Sequence, residues 1–327
     1  MPSTMVKLKM NPRKRKILSM SELDILGEVV NMMLAQEENY PCADYLSMTQ
    51  WQNSIVKIKG GTLIDEYCRE QICEWTYRVA DYFRIDREVV SVSMNYLDRF
   101  LCTRSCDRSM FKLAATTTLF MAVKVIHPHK LGELGILSDL SRGEFEMKDV
   151  ADMEERILDG LKWKLHPPTA AHFSVSLLDY MKLDLPSHET EDLYSNASFF
   201  SELAVCDYFF VTLRPSTIAL ACILNALEGM MHGADTVVFE KTRRLRIPTR
   251  DLCAARNRLW ELYERSEECA LHNDVRPLKP VVVVQTKPMH MDSDASPSSS
   301  PVSVTSERCK GTTDYWPVGK QIRNGSW

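Results

Sequence analysis

The sequence predicts an all-α chain in which two tandem five-helix domains are flanked by disordered termini. Three observations carry that prediction. Apolar residues recur at three- and four-residue spacing through the middle of the chain, the period of a helix with one buried face. One segment, from about Ser109 to Ile126, is apolar nearly all round, as the central helix of a bundle must be. The same order of segments then returns, more weakly, after Pro167-Pro168. With 327 residues and 45 % hydrophobic content there is length for two ordinary domains and enough apolar side chain to fill them.

The elements follow in order. Residues 1–20 are basic and predicted disordered, and Pro12-Arg13-Lys14-Arg15-Lys16 has the density of a nuclear import signal. The first domain, with a preceding helix, is assigned to 21–166. From Asp65 to Phe83 the residues Ile72, Trp75, Val79 and Tyr82 form one stripe. Asp86 is placed to cap the next helix, which carries Val89, Val90, Met94, Leu97 and Leu101, with Glu88 in its first turn where the helix dipole favours an anion. The third helix ends before Pro128, which lacks the N–H that would continue it. A fifth is predicted to begin near Asp149, to run through Met153, Ile157, Leu158 and Leu161, and to stop at Pro167-Pro168.

The second domain is assigned to 167–272. Leu203 to Phe210 echoes the string around Asp98, and Pro215-Ser216-Thr217-Ile218-Ala219-Leu220-Ala221 echoes the opening of the apolar third helix. Pro215 suits the first turn of a helix, where no amide donor is required. The tail, 273–327, is rich in Ser, Pro, Asp and Thr, cannot bury enough apolar area to offset chain entropy, and is predicted disordered. Ser296-Pro297 and Ser300-Pro301 are minimal sites for proline-directed kinases. Phosphorylation at Ser296 and Ser300 is expected to set protein lifetime, and unchanged turnover of a Ser296→Ala, Ser300→Ala chain would contradict this.

Several function classes are disfavoured by composition. The runs 199–213 and 218–227 are interrupted by Glu202, Asp207 and Asn225 or are too short to span a bilayer, so no membrane helix is expected. No apolar stretch and cleavage site follow the N-terminal basic residues, so nucleus and cytoplasm are the expected locations. A net charge of −4 argues against direct binding to nucleic acid. None of the ten cysteines forms a Cys-x-x-Cys pair, so no metal site is predicted and the cysteines read as reduced packing residues. There is no Gly-rich phosphate loop or His-Glu-x-x-His helix, and the eight histidines are scattered, so no catalytic residues and no cofactor are expected.

Charged residues lie inside the apolar helical segments, where each needs a partner. They fall in three strings: Cys68-Arg69-Glu70-Gln71-Ile72-Cys73-Glu74-Trp75, Met94-Asn95-Tyr96-Leu97-Asp98-Arg99-Phe100-Leu101, and Leu113 to Lys124. Together these resemble the cyclin box, and the resemblance extends over roughly 21–269. It implies a regulatory subunit that forms a heterodimer with a cyclin-dependent kinase, acts on that kinase's substrates and has no active site of its own. By the same resemblance Lys124 and Glu154 pair at the kinase interface, with Leu158, Trp163 and Leu165 as apolar contacts. Arg69 and Asp98 match the family's internal ion pair. The substrate-docking patch corresponds to Cys68, Gln71, Ile72, Trp75, Lys112 and Leu113, and Gln71 and Lys112 make it more polar than usual.

Two features separate this chain from the common pattern. Val125-Ile126-His127-Pro128 stands where many cyclins carry an aromatic or apolar residue and two acids. Val30 to Tyr40 and Leu161-Lys162-Trp163-Lys164-Leu165 look like the D-type branch, whereas its Leu-x-Cys-x-Glu motif is absent. Three alternatives stay open: a transcriptional cyclin that pairs with a polymerase-tail kinase, a scaffold that has kept only the fold, and a binding protein like transcription factor IIB. The last normally carries a zinc ribbon and a basic surface, and neither is found in this sequence.

Overall fold

The computed structural model describes residues 20–48, 64–104, 106–130, 144–228, 230 and 233–266, and every regular element among them is helical. The basic run Arg13–Lys16, the Ser-Pro sites at Ser296 and Ser300, and the 131–143 segment between the third and fifth helices of the first domain lie outside the described residues.

The first domain contains α3 (Glu66–Tyr82), α4 (Glu88–Leu101), α5 (Arg108–Ile126) and α6 (Met147–Gly160), preceded by α1 (Met20–Glu37) and the short α2 (Tyr45–Met48). Short polar side chains start the helices. Asp65 accepts from the Cys68 amide and Asp107 from the Met110 amide, each at 2.8 Å, satisfying amides that have no partner inside the helix. Glu146 and Asp149 form a reciprocal capping box on α6. Asp86 lies one residue outside the N-cap position of α4, yet its carboxylate still takes the Glu88 N–H at 2.9 Å.

α5 is the centre of this domain, packed mainly between α4 and α6, with Ala114 to Leu119 and Met121 to Val123 buried. Although no membrane helix is expected from the sequence, α5 is long and apolar enough to cross one; here more than half of it is buried, as in a core helix. Two expectations are corrected. Tyr82 is not part of the buried stripe but 43 % exposed, because α3 ends there. α6 stops at Gly160, well before the prolines, because Lys162 and Trp163 take left-handed backbone angles, φ 52° and 59°, that no helix accommodates.

The second domain contains α7 (Ala170–Met181), α8 (Ser187–Cys206), α9 (Pro215–Leu227), α10 (Ala234–Thr242) and α11 (Leu252–Arg265). Every residue of α9 from Ser216 to Leu227 is buried, and it packs against α7, α8 and α11 as α5 does against its neighbours. Pro215 occupies its first turn, as the sequence predicts. The Glu37 side chain, 1 % exposed, caps α9 by accepting from the Ser216 amide at 3.0 Å and its hydroxyl at 2.7 Å. α1, grouped by sequence with the first domain, therefore packs on the second: Val30 belongs to the second core, and α1 lies along α7.

Several polar links join the domains among the described residues. Arg87 reaches Glu202 at 3.1 Å. Arg69 donates to the carbonyls of Val205 and Cys206 at 2.9 and 3.0 Å. Glu88, at the start of α4, accepts from His172 at 2.8 Å and from the Thr169 hydroxyl at 3.3 Å at the start of α7. The hydrogen bond to Glu88 raises the His172 pKa above its usual 6.5, with burial acting the other way. A raised pKa means that the link contributes fully below about pH 6.5 and fades as pH rises through the folded value. Thermal stability measured from pH 6 to 8 is expected to fall more steeply in the parent chain than in a His172→Gln variant. With His172 59 % exposed, solvent screening keeps the difference small.

Candidate kinase-facing surface

Lys124 closes α5 and Glu154 lies in the middle of α6, so the contact between these helices sets the two side chains opposite each other. The Lys124 ammonium donates to both Glu154 carboxylate oxygens, at 2.6 and 2.8 Å, and sits 5.1 Å from the centre of the Phe120 ring one turn earlier. The helix dipole favours a cation at that C-terminal turn. The side chains are 39 % and 21 % exposed, so this is a surface pair whose contribution to folding is about 0–1 kcal/mol. Its charges are held in place yet open to exchange partners with another surface.

Next to the pair runs a short apolar strip. Leu158, one turn beyond Glu154, and Leu165 are half-buried, while Trp163 between them is 72 % exposed, the most exposed of the large apolar side chains described. An exposed indole on a mobile loop would carry little recognition, but this turn is braced. Arg99 of α4 donates to the carbonyls of Lys164 at 3.0 Å and Leu161 at 3.3 Å, and the Tyr96 hydroxyl donates to the Leu165 carbonyl. The Trp163 amide donates to Leu158 O at 3.1 Å, and Lys164 reaches Asn39 O at 3.4 Å. The sequence reading missed this brace, although Tyr96 and Arg99 lie one helical turn apart in the string that carries Asp98.

Asp98 and Arg69 meet as a two-pronged ion pair, Nε–Oδ1 and Nη2–Oδ2 both 2.8 Å, with side chains 7 % and 3 % exposed. Tyr45 of α2 completes the carboxylate's shell at 2.9 Å. Tyr208 in turn donates to Asp44 at 2.8 Å, next to Tyr45 in sequence, and lies edge-on to the Tyr45 ring. These tyrosines are separated from the box strings by tens of residues, which is why the strings alone do not announce them.

The substrate-docking residues are placed differently from the expectation. Ile72 is 5 % exposed and Trp75 fully buried, so both are core and do not form an open apolar patch. Lys112 faces Glu144 at 3.6 Å, Gln71 approaches Glu74 at 3.5 Å, and Cys68 and Leu113 are half-buried. Among the described residues no group of three or more His, Cys, Asp or Glu is arranged to hold a metal ion.

Two helical domains in series, each wound about one buried helix and linked by Arg69, which Asp98 holds and which donates to the Val205 and Cys206 carbonyls, define the class. Residues 28–166 match the family model described as the cyclin N-terminal domain, and 168–243 match that of the cyclin C-terminal domain. The chain belongs to the cyclin family. It is 28 % identical over 214 residues to a G1/S-specific cyclin-D1 of Xenopus laevis, covering 65 % of this chain and 68 % of the relative. Against a G1/S-specific cyclin-D1 of Danio rerio identity is 30 % over 209 residues, covering 62 % and 65 %. A G2/mitotic-specific cyclin of Glycine max is 28 % identical over 165 residues, half of this chain and 34 % of that one. The match thus spans about two thirds of the D-type relatives and a third of the plant one. The fold resembles a viral cyclin from herpesvirus saimiri, with a TM-score of 0.56 and 20 % identity over 72 % of this chain and 97 % of that one. It also resembles a chain of the yeast RNA Pol II CTD kinase CTDK-1 complex, TM-score 0.50 and 13 % identity, covering 80 % and 79 %.

Proposed function

We propose that this chain is a D-type-like regulatory subunit that binds and activates a cyclin-dependent protein kinase to control cell-cycle progression. The observation that carries the reading is the single surface formed by the exposed Lys124–Glu154 pair and the braced Trp163 turn. A charged pair that can trade partners, beside an indole whose backbone is already ordered, suits a protein surface and loses little entropy on docking.

The mechanism is a population shift. A kinase's regulatory helix and activation loop move between active and inactive arrangements, and a partner that binds the active one better holds its Lys–Glu ion pair and metal-binding Asp in place. The ATP site and phosphoryl transfer belong to the kinase. Import through Arg13–Lys16, residence in nucleus and cytoplasm, and turnover governed by Ser296 and Ser300 are part of the same proposal. The test is to purify the tagged chain from its own cells and identify the bound kinase by mass spectrometry. A cell-cycle kinase supports the reading; a polymerase-tail kinase transfers the chain to the transcriptional branch, and no kinase removes it.

A further inference from the structure

The ten cysteines read as packing residues, but two of them are not placed as such. Cys42 lies in the non-helical 41–44 segment after α1, and Cys102 is the C-cap residue of α4. Their Sγ atoms are 3.5 Å apart across 60 residues of sequence. The Ala43 amide donates to Cys102 Sγ at 3.3 Å, so this sulfur is approached by a backbone donor as well as by the Cys42 thiol. Cys102 is exposed at the surface, and Cys42 is half-buried.

We infer that Cys102 and Cys42 form a peroxide-sensitive modification site in which Cys102 reacts and Cys42 resolves. With Cys42 as the donor, the contact lowers the Cys102 pKa below its ordinary value, helped by the Ala43 N–H and by nearby Arg99, while burial and Asp98 act against it; the same contact and burial raise that of Cys42. A larger thiolate fraction on an accessible sulfur raises reactivity. The Cys102 thiolate attacks one oxygen of hydrogen peroxide, the O–O bond breaks, and sulfenic acid and hydroxide form. The Cys42 sulfur then attacks the Cys102 sulfur; the S–O bond breaks, and the Cys42 proton leaves with the hydroxyl as water. Two thiols and one peroxide give one disulfide and two waters. The sulfurs must close from 3.5 Å to about 2.05 Å, a movement that the non-helical segment holding Cys42 can supply.

A second thiol pair, Cys73 and Cys206, has its sulfurs 3.4 Å apart, but Cys73 is buried and its pKa is raised well above the ordinary value by burial first. Cys253 is exposed and is the single-thiol control. The inference does not depend on the kinase reading.

The test treats the full chain with limiting hydrogen peroxide, blocks remaining thiols with N-ethylmaleimide and maps tryptic peptides. The expected product is the peptide holding Cys42 joined to Phe100–Arg104 with loss of two hydrogens, reversed by dithiothreitol. In a Cys42→Ser chain the disulfide is absent and a dimedone adduct collects on Cys102, formed at least tenfold faster than on Cys253. Equal labelling of Cys102 and Cys253, or no joined peptide in the parent chain, overturns the proposal.

Discussion

Replacing Arg69 with alanine is expected to lower the unfolding free energy by about 3–5 kcal/mol, because it leaves Asp98 as an unpaired buried charge. For a folded body of this size that corresponds to a fall of about 10 °C in melting temperature. The substitution also removes the donors to the Val205 and Cys206 carbonyls, so the loss is shared by both domains. Replacing the ion pair as a whole, Arg69→Met with Asp98→Leu, is expected to recover part of the loss, since no charge is then stranded. Recovery stays incomplete because the Tyr45 hydroxyl and the two carbonyls lose their partners. Thermal melts of the three variants check this. An Arg69→Ala melt within about 2 °C of the parent would show that the pair is not the buried tie described here.

Trp163→Ala is expected to weaken association with the kinase at least 30-fold, about 2 kcal/mol, while leaving the melting temperature nearly unchanged. The separation follows from geometry. At 72 % exposure the indole buries little in the free chain, so its removal costs the fold little, whereas a partner that covers it gains a large apolar contact. The turn itself belongs to the backbone and to Arg99 and Tyr96, so alanine at 163 does not dismantle it. Arg99→Lys, which keeps the charge but loses the planar fork that grips the Leu161 and Lys164 carbonyls, should reproduce part of the weakening with Trp163 intact. Titration of the co-purified kinase with each variant measures this; equal affinity for Trp163→Ala and parent would remove Trp163 from the interface.

Much of the fold was legible because helical periodicity is a local signal. α3 with Asp65 and α9 with Pro215 were readable from a few neighbouring residues, and the family resemblance paired Arg69 with Asp98 and Lys124 with Glu154. What stayed hidden depends on distant parts of the chain. Tyr45 on Asp98, Glu37 on the start of α9 and the Cys42–Cys102 approach join residues 53, 179 and 60 positions apart. No spacing rule reports such contacts. The early end of α6 was missed for a different reason: Lys162 and Trp163 are poor formers of left-handed turns, and tertiary hydrogen bonds from Arg99 and Tyr96 override their local preference. The docking positions depend on the same level, because the resemblance names them while burial decides whether Ile72 and Trp75 can be touched.

In the proposed function the Lys124–Glu154 surface holds a kinase. Because the pair is exposed, a Lys124→Ala, Glu154→Ala chain should fold and melt like the parent, and any change in partner binding then reports on the interface alone. Both chains, tagged and purified from the same cells, are to be assayed for bound kinase and its activity. Active kinase is expected with the parent chain and at least a tenfold loss with the double variant; equal activity in the two eluates, with both chains folded, would contradict the proposed interface.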